Sequence, residues 1–267
     1  MICHPFDWLP EAFGTSRVTR IRTPNTIELY LMDSKALKLA SLFSYSPNHK
    51  GYCGRDSAGD AFTQCITEGK CDTVPQELKH FIVLYPYLKT IATLTNLQPF
   101  DYKVIEAYWM GNELLDDIPK HGYEILLKEF TEQGVPPWLI DSLKKKKPKK
   151  FIPNHLFQVL HVGVGQASGS VPFNINSVNS CMIRWGKIIA VTADRQIHIA
   201  LNTLTQTNEG HKLESVKEVL PPKACPFFSP KIGDVVAIHW GHIVKCLTRE
   251  EETNLMYWTK QALKYSE

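Results

Sequence analysis

Two residues in the last third of the chain are the natural starting point for chemistry. Cys181 opens the run Cys181-Met182-Ile183-Arg184-Trp185-Gly186-Lys187-Ile188, and His239 sits in Gly233-Asp234-Val235-Val236-Ala237-Ile238-His239-Trp240-Gly241. A thiolate with an imidazole suits iron, zinc or copper. The two are far apart in sequence, but if the strands between them curl into a small barrel the side chains can meet and share a metal. The alternative is that both simply pack, Cys181 as a small buried hydrophobe and His239 bonded to a carbonyl.

A second group lies in the first two thirds. Cys53, between Tyr52 and Gly54, stands in a loop just before a helix, where amide N–H groups and the helix dipole would lower its pKa and favour thiolate. Trp109-Met110-Gly111-Asn112-Glu113 interrupts an apolar helix at residues that normally cost helix stability. Asn112 could offer its amide to a small polar ligand there, or the break could be a kink that admits another helix. With His155, these residues make Cys53, Trp109, Asn112 and His155 a candidate ligand or thiol site, the core of a small-molecule enzyme reading. His155 and His161 are wrongly spaced for one helix face, and His239 and His242 in one strand would point to opposite faces. Gly163-Val164-Gly165 lacks the following Lys-Ser/Thr helix of a phosphate loop.

A third feature is charge. Lys144, Lys145, Lys146, Lys147, Lys149 and Lys150 flank Pro148 in a basic run that could attract nucleic acid, although no aromatic residue interleaves it and such blocks are usually solvated. Over the whole chain, 30 basic residues against 27 acidic ones are too balanced for a general attraction to nucleic acid or anionic lipid. No apolar run approaches a membrane span, and the N-terminus lacks the pattern of a secretion signal, so the expected compartment is the cytoplasm, without membrane insertion. The seven cysteines, with no Cys-x-x-Cys pair, are expected to be reduced.

The elements that must position these residues change character along the chain. Thr26–Leu31 is β-prone. Asp33 caps a helix through Phe43, and a loop follows over Ser46–Gly54. Asp56–Thr67, Pro75–Leu97, Tyr102–Asp117, Tyr123–Glu132 and Pro136–Leu143 show apolar residues at three- and four-residue intervals and are expected to be helical. Asn154 caps a short segment through Val162. After the glycine-rich loop, the texture turns to short β-branched runs: Cys181–Trp185, Lys187–Thr192, Gln196–Leu201, Lys212–Val219 and Asp234–His239, the last possibly continued by Ile243–Leu247. Arg249–Lys264 closes the chain as a helix with acids at its positive end. The expected fold is α+β: a helical domain over residues 1–172, then a small antiparallel OB-like barrel with a C-terminal helix over 173–267.

The ends of this second module resemble HypC/HupF-type hydrogenase assembly chaperones, small OB-like barrels that begin M-C-x-x-I-P-G-K/R-V/I and end G-D-Y-V-L-V-H-x-G-F-A-I. Cys181, Gly186, Lys187 and Ile188 fall on the first motif, and Gly233, Asp234, Val236, His239, Gly241 and Ile243 on the second. The resemblance implies a metal-handling chaperone rather than an enzyme. It would bind iron or an iron-ligand fragment through Cys181 and His239, and its partner would be a hydrogenase large subunit or a maturation factor. Over its whole length the chain is also similar to an uncharacterised prokaryotic family with segments Y-x-P-N-x-x-G-Y-C-G, A-Y-W-x-G-N-x-L-L, C-x-I-R-W-G and G-D-x-V-x-L-H-W, here Tyr45–Gly54, Ala107–Leu115, Cys181–Gly186 and Gly233–Trp240. That likeness implies a neighbourhood among hydrogenase genes and no specific activity. The expected function is thus an accessory role in [NiFe]-hydrogenase maturation, with the enzyme site and an OB-like nucleic-acid binder as alternatives.

Overall fold

The structure, a computed structural model, describes residues 33–208 and 210–266. The β-prone piece at Thr26–Leu31 lies outside them. The chain folds as α+β: helices first, then a five-stranded antiparallel sheet, then a closing helix.

The helices are α1 (Ser34–His49), α2 (Ala58–Glu68), α3 (Val74–Leu78), α4 (Leu84–Thr95), α5 (Tyr102–Trp109), α6 (Gly122–Gln133), α7 (Pro137–Lys145), α8 (His155–Phe157) and α9 (Ile175–Cys181). Asp33 caps α1 as expected, its carboxylate accepting from the Lys35 N–H at 2.9 Å. The helix runs past Phe43 to His49 with Pro47 inside its last turns, so the first residues of the expected loop are helical. Pro75–Leu97 breaks into α3 and α4, and Asn154 caps α8, which widens into a π-helix over Gln158–Gly163. Helix α9 was not expected: Cys181 ends a helix instead of opening a strand, because Asn174 forms a capping box with Ser177.

The strands are β1 (Arg184–Val191), β2 (Ile197–Thr207), β3 (Gly210–Leu220), β4 (Val235–His239) and β5 (His242–Cys246), followed by α10 (Arg249–Ser266). Their order, β3-β2-β1-β4-β5, makes an open sheet with β3 and β5 at its edges. The expected closed barrel is therefore replaced by a sheet that covers its two faces differently. Trp185, Ala237 and Val244 join the large apolar core that runs from α1 to α10, while Ile188, Ile199, Leu201, Val236, Ile238 and Ile243 form a second core on the other face. Ala224 and Phe228, from the β3–β4 connection, pack on that second core. With helices covering one face, the sheet has no need to curl on itself to bury it.

Alternation along β4 sends Val236 and Ile238 to the second core and Val235, Ala237 and His239 toward the helices. A tight turn at Trp240-Gly241, both at positive φ, separates β4 from β5. His239 and His242 consequently face each other across a hairpin and do not sit on opposite faces of one strand.

The cysteines also differ from expectation. Cys65 and Cys71 are joined in a disulfide, and Cys246 is disulfide-bonded as well. Gly69, at φ +72°, reverses the chain just after α2 and brings the Cα atoms of Cys65 and Cys71 to 4.4 Å. Among the described residues, Cys53, Cys181 and Cys225 are free. No helix of the described residues is long and apolar enough to cross a membrane.

A candidate metal centre between the helices and the sheet

The two groups singled out in the sequence meet in one place. His155 from α8, Cys181 from the end of α9 and His239 from the end of β4 are all buried, and their ligand atoms lie within 4.8 Å of one another. Trp109 forms a wall, its ring 4.6 Å from that of His155 and 5.5 Å from that of His239. Phe43 stacks on Trp109 at 5.1 Å.

His239 is oriented by the backbone of α1. Its Nδ1 lies 2.7 Å from the Phe43 carbonyl oxygen. That carbonyl is free because the residue four positions on is Pro47, which has no N–H to donate to it. A carbonyl can only accept, so Nδ1 carries the proton and Nε2 is left with a bare lone pair. Nε2 is buried and makes no hydrogen bond of good geometry, although the Cys181 carbonyl lies close enough to act on the ring.

His155 is held on both sides. Its Nδ1 is 3.0 Å from the Tyr108 hydroxyl and its Nε2 is 2.8 Å from the Cys181 carbonyl oxygen. With Nε2 protonated, that proton goes to the carbonyl and Tyr108 donates to Nδ1. The carbonyl can only accept, so Nε2 carries the proton in this structure; to bind a metal there, Nε2 would have to give up that bond and pass its proton to Nδ1, which then donates to the Tyr108 oxygen, since a phenol can do either. Tyr108 thus serves both tautomers. The carbonyls that end α9 find their partners here too, Ser180 accepting from the Trp240 N–H at 2.8 Å.

Cys181 Sγ is 3.7 Å from His155 Nε2. Metal bonds of about 2.0–2.3 Å in tetrahedral geometry place ligand atoms roughly 3.3–3.8 Å apart, so this spacing fits a shared ion. Burial pushes the Cys181 thiol well above its ordinary range, and a thiolate at Cys53 would push it further. The Trp240 indole N–H makes no hydrogen bond of good geometry, yet it lies close enough to favour the anionic sulfur. Desolvation lowers His155 to about 4 and His239 well below the usual imidazole value, so both rings are neutral ligands at neutral pH. A neutral, buried thiol is a poor nucleophile, while one thiol and two neutral imidazoles make a donor set of the kind that could hold a transition metal.

Cys53 lies on the loop between α1 and α2. Asn48 donates to the carbonyls of Cys53 and Arg55 at 2.9 and 2.8 Å, and the Tyr52 ring packs 4.5 Å from that of Trp240, next to His239. The residue is exposed, yet desolvation pushes its thiol up to about 12, opposite to the expected lowering. The exposure is that of the residue as a whole, while the raised pKa shows that the sulfur itself is packed about by protein. Helix α2 starts five residues later, at Ala58, too far along the chain for its dipole to act as expected.

Asn112 does not join this site. Its amide donates to the Lys103 carbonyl and the Glu106 carboxylate at 2.9 and 2.8 Å, and its oxygen caps the turn Glu113–Leu115. Gly111, at φ +83°, lies against Trp258 of α10, where an added Cβ would stand 2.2 Å from the indole. The helix break is thus a packing device. The cavity beside Trp109, about 10 Å³, has room for no more than a water.

The lysine run ends α7 and continues beyond it. Lys144 pairs with Asp141 and Lys147 reaches Glu124, while Lys146 donates to the His161 carbonyl. His161 itself bonds Tyr123 and the Ser266 carbonyl, away from the candidate centre.

A family model described as a family of unknown function, DUF6390, matches residues 33–267, and so spans both the helices and the sheet that the site joins. The chain belongs to that family. No curated protein and no solved structure matches. The DUF6390 match agrees with the likeness to an uncharacterised family and lends none to the likeness to HypC/HupF-type chaperones.

The sequence pointed to Cys181, His239, His155, Trp109 and Cys53 in two separate groups. It missed Tyr108, Phe43, Asn48 and Trp240. One signal was available: Pro47 inside a helical pattern frees the carbonyl four residues before it, which marks Phe43 as an acceptor in search of a donor.

Proposed function

We propose that this chain binds a transition metal through Cys181, His155 and His239 and acts as a metal-handling protein. The observation that carries the reading is the convergence of three buried donors, with the Nδ1 of His239 turned to the Phe43 carbonyl so that its Nε2, which makes no hydrogen bond of good geometry, faces the cluster. An imidazole held this way by a backbone carbonyl has the arrangement of a metal ligand, and leaving its lone pair bare costs stability unless a cation takes it. The chain's part is to hold two neutral imidazoles and one thiol in an apolar, water-poor setting and to give up the Cys181 proton. The metal, when bound, supplies a positive centre for cargo or ligand exchange.

Within this reading, iron as the cargo and a hydrogenase large subunit or maturation factor as the partner rest on the motif likeness alone. The donor set supports a metal from iron to zinc without choosing among them. Cobalt serves as the optical probe. Titrating the metal-free, reduced protein with Co²⁺ should give d–d bands of a low-coordinate site and a sulfur-to-cobalt charge-transfer band, saturating at one equivalent. Cys181→Ser should lose the charge transfer from this sulfur, and His239→Ala should weaken binding at least 100-fold. A spectrum of hexaaquo cobalt at all concentrations sinks the proposal.

A further inference from the structure

The three-residue cluster is incomplete in both charge and number. A divalent cation with one thiolate and two neutral imidazoles would leave a net positive charge among Trp109, Phe43, Tyr108 and Trp240. The charged groups that act on Cys181, His155 and His239 include no carboxylate. A four-coordinate site also needs one more donor.

Cys53 is the free thiol nearest to hand. Its loop is tied to the site by two residues that precede it: Asn48, five residues after the Phe43 that orients His239, donates to the Cys53 carbonyl, and the Tyr52 ring packs on Trp240 beside His239. Cys53 and Cys181 are near enough for their charges to interact, and Tyr108, the partner of His155, feels both. The cluster proper comprises His155, Cys181 and His239, so Cys53 stands outside it, on the loop beside it.

We infer that Cys53 is the fourth ligand: the loop between α1 and α2 closes on the bound ion, completing a charge-neutral Cys2His2 centre. This rests on the metal-binding reading above. Closure releases the Cys53 proton to solvent and forms a metal–sulfur bond in place of a metal–water bond, with no change in oxidation state.

The test compares the full-length reduced protein with Cys53→Ser, and with Cys225→Ser as a control at a free cysteine on the far core. Wild type loaded with one equivalent of Co²⁺ should show about twice the sulfur-to-cobalt charge-transfer intensity of Cys53→Ser, and Cys53→Ser should bind cobalt at least tenfold more weakly. Cys225→Ser should match wild type. Independently of any variant, alkylation of Cys53 by iodoacetamide, read by peptide mass spectrometry at an alkaline pH where thiolate forms, should be at least tenfold slower once one equivalent of Zn²⁺ is bound than in the metal-free protein. Equal charge-transfer intensity in wild type and Cys53→Ser, or a Cys53 alkylation rate unchanged by zinc, overturns the fourth ligand while leaving the three-residue site standing. No cobalt spectrum in wild type overturns both.

Discussion

Zinc added to the metal-free, reduced protein is expected to raise its unfolding temperature by on the order of 10 °C when the free ion exceeds Kd a thousandfold. A ligand that binds only the folded state at that excess stabilises by about 4 kcal/mol, and each kcal/mol moves the midpoint of a chain this size by about 2–4 °C. Cys181→Ser and His239→Ala should each lose most of this increment. The comparison is made with and without zinc within each variant, because removing His239 leaves the Phe43 carbonyl buried without its donor and costs about 1–3 kcal/mol by itself. The pH dependence has a definite sign. The Cys181 thiol, held up by burial, must lose its proton to bind, so affinity rises with pH, about tenfold per unit for each thiol displaced. His155, lowered to about 4, competes for protons only near that pH. Affinity that is flat between pH 6 and 8 would speak against thiolate ligation.

The second large effect is acid lability of the metal-free protein. Burial lowers His155 from 6.5 to about 4, so between those values the unfolded chain binds a proton that the folded one refuses. The stabilisation is present above pH 6.5 and is lost as pH falls toward 4. At 1.36 kcal/mol per unit, this residue alone contributes roughly 3 kcal/mol. His239 and His161 are shifted in the same direction and steepen the loss. Urea unfolding at pH 7 and pH 4.5 should therefore differ by several kcal/mol. In His155→Gln, whose amide can still donate to the Cys181 carbonyl, the difference should shrink by roughly the His155 share. Equal stability at the two pH values would show that these imidazoles are not buried as neutral groups.

The helical half and the strands were largely legible because their apolar residues recur at the right intervals, as at Ile105 and Tyr108 or along Val236 and Ile238. What escaped depended on single residues acting at a distance. Helix α9 hid behind the polar run Ile175–Cys181, whose helical state comes from the Asn174–Ser177 capping box and not from amphipathicity. The disulfide at Cys65 and Cys71 depended on a chain reversal at Gly69, which spacing does not reveal. Closure of the sheet could not be judged from alternation, because alternation tells which residues share a face and not what covers it. The site was half legible. Residue types drew attention to Cys181, His239, Cys53 and His155, but tertiary packing joins the two groups, of α9 beside the π-helix after α8 and of α1 against β4 and β5, and Asn112, chosen for the same helix break as Trp109, turned out to be committed to capping.

The most direct measurement is X-ray absorption at the metal edge of the protein loaded with one equivalent of zinc under reducing conditions. The expected spectrum has a sulfur shell at about 2.3 Å and two imidazole nitrogens at about 2.0–2.1 Å, four-coordinate, with the sulfur shell lost or halved in Cys181→Ser. A shell of oxygen or nitrogen donors with no sulfur, unchanged by the Cys181 substitution, would contradict the metal centre proposed for this chain.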